Sequence, residues 1–388
     1  MRLNLLCALL VLFVIPCLAA SSNSLRRQST LSQGDNQTPF VLIEDTPWIK
    51  VATGGREWLF VLDTGSSYCA VSSEFAKENF LAPSRDRIAI RNATGAVSSN
   101  SLVKLPPFWI GSKFFAGEPA VVSSDGILGK TSGGESIHGV IGFGLLSRYT
   151  VTFDYHANLL QLASTNLHTG SLSNSASVIP YYVSNGVPYI SVSIQGKALP
   201  FLVDTGYGGS LACPATDLGL NYISESRSSN QMLSIRLPVR SRYMRLSGTV
   251  QIGGLAIENP IVKEGPRSLI GGEVLKRFRV TIHPMLGAMV FERTGPEVFR
   301  PPTIRGIGVR FSRASVPWRV LDTVRDDVGN LGNIREGDLC SAIEGRPVSE
   351  LLPEELQELF ARTNMLSLEL VRGSTNFTAR TPVIVFIE

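Results

Sequence analysis

The sequence predicts a mainly β protein of two pseudo-twofold-related β lobes followed by a small α/β domain. Three observations predict it. The chain repeats itself once, with an Asp-Thr-Gly in each copy. Within each copy, short β-branched or aromatic runs alternate with Gly, Pro, Asn and Ser clusters, and helical periodicity is rare. After Glu292 the texture changes to a Pro-containing connector and a different mixture of strand, turn and helix signals. A length of 388 residues accommodates two or three domains with cores of their own.

The first element is "MRLNLLCALLVLFVIPCLAASS", with one Arg, an apolar run of about 14–16 residues and then small residues. That is the layout of a secretory signal peptide over 1–20, cleaved after Ala19 or Ala20, and the run is short for a membrane span. An uncleaved anchor is the alternative. Residues 21–39, rich in Ser, Gln and Asn, read as a flexible leader. The mature chain is expected to be exported, periplasmic or secreted, without a stable membrane span.

The first lobe is expected over 40–165 and the second over 178–294. "PWIKVATGGREWLFVLDTG" from Pro47 aligns without a gap on "PYISVSIQGKALPFLVDTG" from Pro188, an offset of 141. Downstream, "VIGFGLLSRYTVTF" from Val140 matches "LIGGEVLKRFRVTI" from Leu269 at an offset of 129. The first copy therefore holds about twelve extra residues, placed between Gly111 and Gly142. A duplication with two copies points to a pseudo-twofold pair, because solenoids need three or more repeats. "YISVSI", "FLVD", "RIAI", "VTFDY" and "AMVFE" read as strands; "SSEFAKENF" and "GGEVLKRF" read as short helices.

The connector covers 295–302. The last domain, 303–388, opens on a strand-like "GIGVRF", passes a turn-rich "GDLCSAIEGRPV" and reaches a helix at "LPEELQELF". Pro353 suits a first helical turn, and acids follow it. "LSLELVRG" then reads as a strand.

One Asp-Thr-Gly is ordinary turn chemistry. Two in aligned context, each followed downstream by an apolar-apolar-Gly (Val140-Ile141-Gly142 and Leu269-Ile270-Gly271), are not. On these residues, 40–294 resembles an aspartic protease of the retropepsin–pepsin clan, of bacterial type, with both lobes in one chain. The resemblance implies a bilobal aspartic-protease fold in which Asp63 and Asp204 are the catalytic pair. Two carboxylates a few ångströms apart cannot both ionise, so they hold one proton and act as base and acid together. That is established for aspartic proteases as a group. The resemblance further implies that Thr64 and Thr205 interlock across the axis and that Gly65 and Gly206 allow close backbone approach. Gly142 and Gly271 lie where a side chain would strike the Asp loops. Ser66 is expected to donate to the outer oxygen of Asp63. Tyr207, at the equivalent position, carries its hydroxyl too far to serve Asp204. The expected ground state is ionised Asp63 with protonated Asp204. "RNATGAVSSN" and "RLPVRSRYMRL" occupy the expected flap positions.

Residues 303–388 resemble a PDZ domain. "RGIGVRF" stands at the carboxylate-binding loop and "PEELQELF" at the groove helix. The resemblance implies that the amides of Gly306, Ile307 and Gly308, with Val309 opening the next strand, receive a peptide C-terminus.

Other chemistries find little support. "DGILGKTSGG" has Ser124 where a phosphate-binding loop needs its first Gly. The four His form no HExxH, and GxSxG is absent, so no metal or serine nucleophile is expected. The net charge of +4 is spread along the chain, without a basic stripe for nucleic acid. Beyond the signal remain Cys69, Cys213 and Cys340, read as buried small residues, with a Cys69–Cys213 bridge as the alternative. A eukaryotic-type pepsin calls for paired cysteines around the Asp loops, which are absent. The expected function is aspartic endopeptidase without cofactor, acting as a monomer on polypeptides. A non-catalytic peptide-binding scaffold is the rival reading.

Overall fold

The computed structural model describes residues 37–85, 87–91, 97–123, 128, 136–163, 175–225, 242–312, 316–323, 333–351 and 353–387. The signal segment, most of the leader, parts of both flap segments (92–96 and 236–241) and most of the phosphate-loop-like stretch lie outside them.

The described chain is mainly β, and one strand order occurs twice. In the first copy the strands are β1 (Thr46–Thr53), β2 (Arg56–Asp63), β3 (Cys69–Ser72), β4 (Arg87–Arg91), β5 (Val97–Lys104), β6 (Pro119–Ser123) and β7 (Gly139–Gly142). Next comes β8 (Thr150–Asp154). In the second copy they are β9 (Val187–Ile194), β10 (Lys197–Val203), β11 (Leu211–Cys213), β12 (Tyr222–Glu225), β13 (Tyr243–Leu246), β14 (Ile261–Glu264) and β15 (Leu269–Ile270), then β16 (Phe278–His283). The first copy pairs in the order β1-β2-β7-β3-β6-β5-β4 and the second in the order β9-β10-β15-β11-β14-β13-β12. Directions match too. β7 lies parallel to β2 and antiparallel to β3; β15 does the same between β10 and β11.

Sequence pattern accounts for these strands. Along β9, Ile190, Val192 and Ile194 are buried while Ser191 and Ser193 between them are exposed, the period of a half-buried strand. β7 is buried at every position, as a strand enclosed on both faces must be. "SSEFAKENF" yields the helix Ser73–Glu78, whose N-cap Ser72 hydroxyl accepts from the Phe75 amide at 3.0 Å.

The two copies meet along β8 and β16, which pair antiparallel with Thr152 opposite Thr281. Those hydroxyls lie 2.9 Å apart, and the residues are 129 positions apart, equivalent under the repeat. One buried cluster runs through both copies, from Phe40 to Phe291. The leader was expected to be flexible to residue 39; instead Gln37–Pro39 is a strand paired with Leu159–Ala163. Those three residues belong to the folded body.

The C-terminal region has its own core, including Trp318, Val320, Cys340, Leu356, Leu366 and Leu368. Its strands are β17 (Ile304–Ile307), β18 (Val309–Ser312), β19 (Trp318–Thr323), β20 (Leu339–Ile343), β21 (Met365–Arg372) and β22 (Thr375–Ile387), with the helix Pro353–Arg362 before β21. They pair in the order β17-β22-β21-β20-β19-β18. "GIGVRF" is not one strand, because the chain leaves one pairing for another at Gly308. The turn-rich stretch contains β20, a short strand between Gly337 (φ 89°) and the Glu344-Gly345 turn. The connector is not free chain either. Val298–Phe299 pairs with Leu255–Glu258, and the Arg245 guanidinium donates to the carbonyls of Asn259, Pro301 and Pro302 at 3.1 Å each. No helix among the described residues is long and apolar enough to cross a membrane.

Candidate active site

Asp63 ends β2 and Asp204 follows β10, so the duplicated strands deliver both Asp-Thr-Gly loops to one place. A lattice of buried bonds fixes them together. The Thr64 amide donates to the Thr205 hydroxyl at 3.0 Å, and the Thr205 amide donates to the Thr64 hydroxyl at 3.0 Å. Each hydroxyl in turn donates to the opposite strand, Thr64 to the Val203 carbonyl at 2.5 Å and Thr205 to the Leu62 carbonyl at 2.7 Å. Both threonines are at most 2% exposed, so none of these groups has water as a substitute.

The glycines explain how near the carboxyls come. A Cβ on Gly65 would lie 2.4 Å from Asp204 Cγ, and one on Gly206 would lie 2.4 Å from Asp63 Cγ. Each glycine is thus the floor under the opposite aspartate. Each amide also serves its own: Gly65 N–H donates to Asp63 Oδ1 at 2.8 Å and Gly206 N–H to Asp204 Oδ1 at 3.0 Å. Gly142 and Gly271 brace the loops from behind. A Cβ there would stand 2.3 Å from the Tyr68 carbonyl oxygen, or 2.2 and 2.4 Å from those of Gly209 and Tyr207. The residues after them close the loops, Phe143 N–H donating to Ser66 O and Gly272 N–H to Tyr207 O, both at 2.7 Å.

The carboxyls hydrogen-bond each other, and both are pushed above the ordinary Asp range. Burial is the main cause at each. At Asp63 it is opposed by the bond from Asp204 and by the Gly65 and Ser66 amides. At Asp204 the Asp63 charge adds to burial and carries it well above the ordinary value. Both shifts disfavour a doubly ionised pair, so the two carboxyls share a proton. By surface area both residues are half-buried.

Ser66 acts differently from expectation. Its hydroxyl donates to the Tyr68 carbonyl at 2.8 Å, and only its amide helps Asp63. A serine has one hydroxyl proton, and the turn takes it. Tyr207 lends Asp204 its amide at 3.1 Å, while its ring folds over Gly209, where a Cβ would meet the hydroxyl at 2.3 Å. Behind the loop, burial raises Glu273, with Asp45 adding to it and Lys276 and Arg277 opposing.

One pair of contacts was not read from the sequence. The turn Glu44-Asp45, with φ of 51° and 61°, sits against the second loop: a Cβ on Gly208 would lie 1.9 Å from the Glu44 carbonyl oxygen, and one on Gly272 1.8 Å from that of Asp45. The equivalent turn Asn185-Gly186 sits against Ser67 of the first loop. Extending the 141 alignment a few residues upstream of Pro47 would have found both, since Asn-Gly is a hairpin signal. Asp45 is held by Lys276, Nζ to Oδ1 at 2.8 Å.

The other predicted residues lie elsewhere. Gly306 and Ile307 are in β17, opposite Ile384 and Val383; Gly308 separates the strands, and Val309 opens β18 at the sheet edge. Cys69, Cys213 and Cys340 are free and buried, with burial pushing the thiols up to about 11, 12 and 12. Among the described residues no cluster of His, Cys, Asp or Glu could hold a metal ion.

Residues 49–145 match the aspartyl protease family model. The match supports a retropepsin-like aspartyl protease domain there, and it takes in Asp63 and Gly142 but ends before Asp204. Among curated proteins none matches the chain.

Proposed function

We propose that the chain is an exported aspartic endopeptidase, in which the family-matched lobe and its repeat together make one active site. The observation that carries the reading is the reciprocal threonine lattice, which ties Asp63 and Asp204 into one proton-sharing pair. In this reading Asp63 is the charged partner and takes a proton from a water held between the carboxyls. Asp204 gives its proton to the carbonyl oxygen of the scissile amide. Water's oxygen bonds to the carbonyl carbon, and the tetrahedral centre collapses with a proton passing to the departing amine. The dyad finishes with one proton, as it began.

Residues 303–388 act in this reading as a PDZ module for peptides. The helix Pro353–Arg362 packs against β17, and among the described residues β18 ends the sheet; an end strand and a helix are the two parts that strand addition to a groove uses. The polypeptide is the substrate, and one chain suffices because it holds both aspartates.

The test is digestion of an unfolded-protein peptide library from acidic to neutral pH, with the cuts sequenced. Cleavage blocked by a peptide carrying a secondary hydroxyl in place of the scissile amide, a tetrahedral mimic, is the expected result. No cut at any pH overturns the reading. For the C-terminal module, peptides with free C-termini should bind and their amidated forms should bind more weakly.

A further inference from the structure

A cavity of about 300 Å³ lies between the end of the short helix Gly272–Leu275 and the turn that follows Arg293. Lys276, Arg277, Thr294, Gly295, Pro296 and Val298 line it, and none of these is acidic. The Arg277 guanidinium stands over the Phe299 ring, 3.4 Å from its centroid. Arginines of the adjoining segments have carboxylates: Arg279 has Glu292 at 3.4 Å, Arg293 has Glu297 at 2.9 Å, and Arg300 has Glu258 at 2.5 Å. Arg277 has a ring and a cavity instead. Among the described residues its guanidinium makes no ion pair, and its buried Nε has no acceptor.

The walls are held in place. The amide and hydroxyl of Thr294 both donate to the Arg277 carbonyl at 3.0 Å, and Arg293 holds the Gly295 carbonyl at 2.6 Å. Phe299 is fixed by the pairing of its strand with Leu255–Glu258. A stacked guanidinium loses little freedom on binding and presents its N–H edge to an oxyanion.

We propose that this cavity is an anion-binding site, in which Arg277, backed by Lys276, receives one carboxylate or phosphate group. Asp45 holds Lys276 directly, while Glu273 and Asp45 reach Arg277 only through space and form no ion pair with it, so the guanidinium edge still lines the cavity. Pro296 and Val298 give the ligand's apolar part a wall. The volume suits a small group, at the low end of ligand pockets.

Calorimetric titration of the full chain at low salt tests this, using the Asp63→Asn variant so that no peptide is consumed. Its outcome does not depend on whether the chain hydrolyses peptides. The probes are inorganic phosphate, an N-acetylated dipeptide acid and the matching dipeptide amide. The acid should bind and the amide should not. Phosphate binding as well as the acid assigns a free oxyanion, and binding of the acid alone assigns a peptide carboxylate. Arg277→Gln should weaken binding about tenfold or more, as loss of a charge-assisted hydrogen bond does. Val298→Trp, at a position 43% exposed on the rim, should do the same by filling the cavity with Arg277 intact. Arg300→Gln should change nothing. Equal binding of acid and amide, no binding of any anion, or full retention in both cavity variants overturns the proposal.

Discussion

Thr64→Val replaces a hydroxyl by a methyl group of nearly the same size, and so isolates the lattice that joins the two Asp loops. The hydroxyl accepts from the Thr205 amide at 3.0 Å and donates to the Val203 carbonyl at 2.5 Å. Both partners would be left in a region that water does not reach, since Thr64 is 0% and Thr205 2% exposed. Each orphaned buried group costs about 1–3 kcal/mol, so the variant should lose about 2–6 kcal/mol. Thr64→Ser keeps both bonds and removes one methyl group, for about 1 kcal/mol. Urea denaturation followed by fluorescence reads this as a lower midpoint with an unchanged slope. Peptide cleavage by the valine variant should fall as well, because the same bonds set the spacing of the carboxyls. A valine variant within about 0.5 kcal/mol of wild type, or a serine variant as costly as valine, would refute the reasoning.

Three further outcomes follow from the same site. Gly271→Ala puts a methyl group 2.2 Å from a backbone oxygen that cannot swing aside, so it should cost about 1–3 kcal/mol and most of the turnover; a stable, active variant contradicts the bracing role. Ser66→Ala should leave the acid limb of the pH–rate profile in place, because the hydroxyl serves Tyr68 and not Asp63; a shifted limb would return the hydroxyl to the dyad. Asp204 keeps its proton in the native chain well above the pH, about 3.9, at which an unfolded Asp releases it. Wild-type stability should therefore fall as pH rises from about 4 through the native pKa of Asp204, by up to about 1.4 kcal/mol per unit. Asp204→Asn should flatten that fall and be the more stable protein at neutral pH. Parallel profiles from denaturation at several pH values would contradict this.

Much of the site was legible because the duplication is written in the chain. The offset of 141 that aligns the two Asp-Thr-Gly triplets is the separation across which Thr64 and Thr205 exchange hydrogen bonds. The offset of 129 is that of the paired Thr152 and Thr281. An alignment of equivalent positions names the residues that face each other across a twofold axis. It cannot say where a hydroxyl proton goes. Ser66 had two acceptors within its reach, and only the turn geometry decides for Tyr68. The Asp45–Lys276 pair joins residues 231 positions apart that are not equivalent under the repeat, so no local pattern signals it. In the C-terminal region β22 went unread. Pro382, within it, argues against a central strand, yet it falls opposite Met365 at the end of the ladder, where a missing amide costs little.

The central claim is that Asp63 and Asp204 hydrolyse peptide bonds as one proton-sharing pair. The most direct measurement is the pH–rate profile of peptide cleavage for the wild type, Asp63→Asn and Asp204→Asn, each confirmed folded by its melting transition. The account predicts a bell-shaped profile for wild type, with limbs belonging to the pair, and no turnover at any pH for either variant. A folded single variant that still cleaves at a rate near wild type would contradict it.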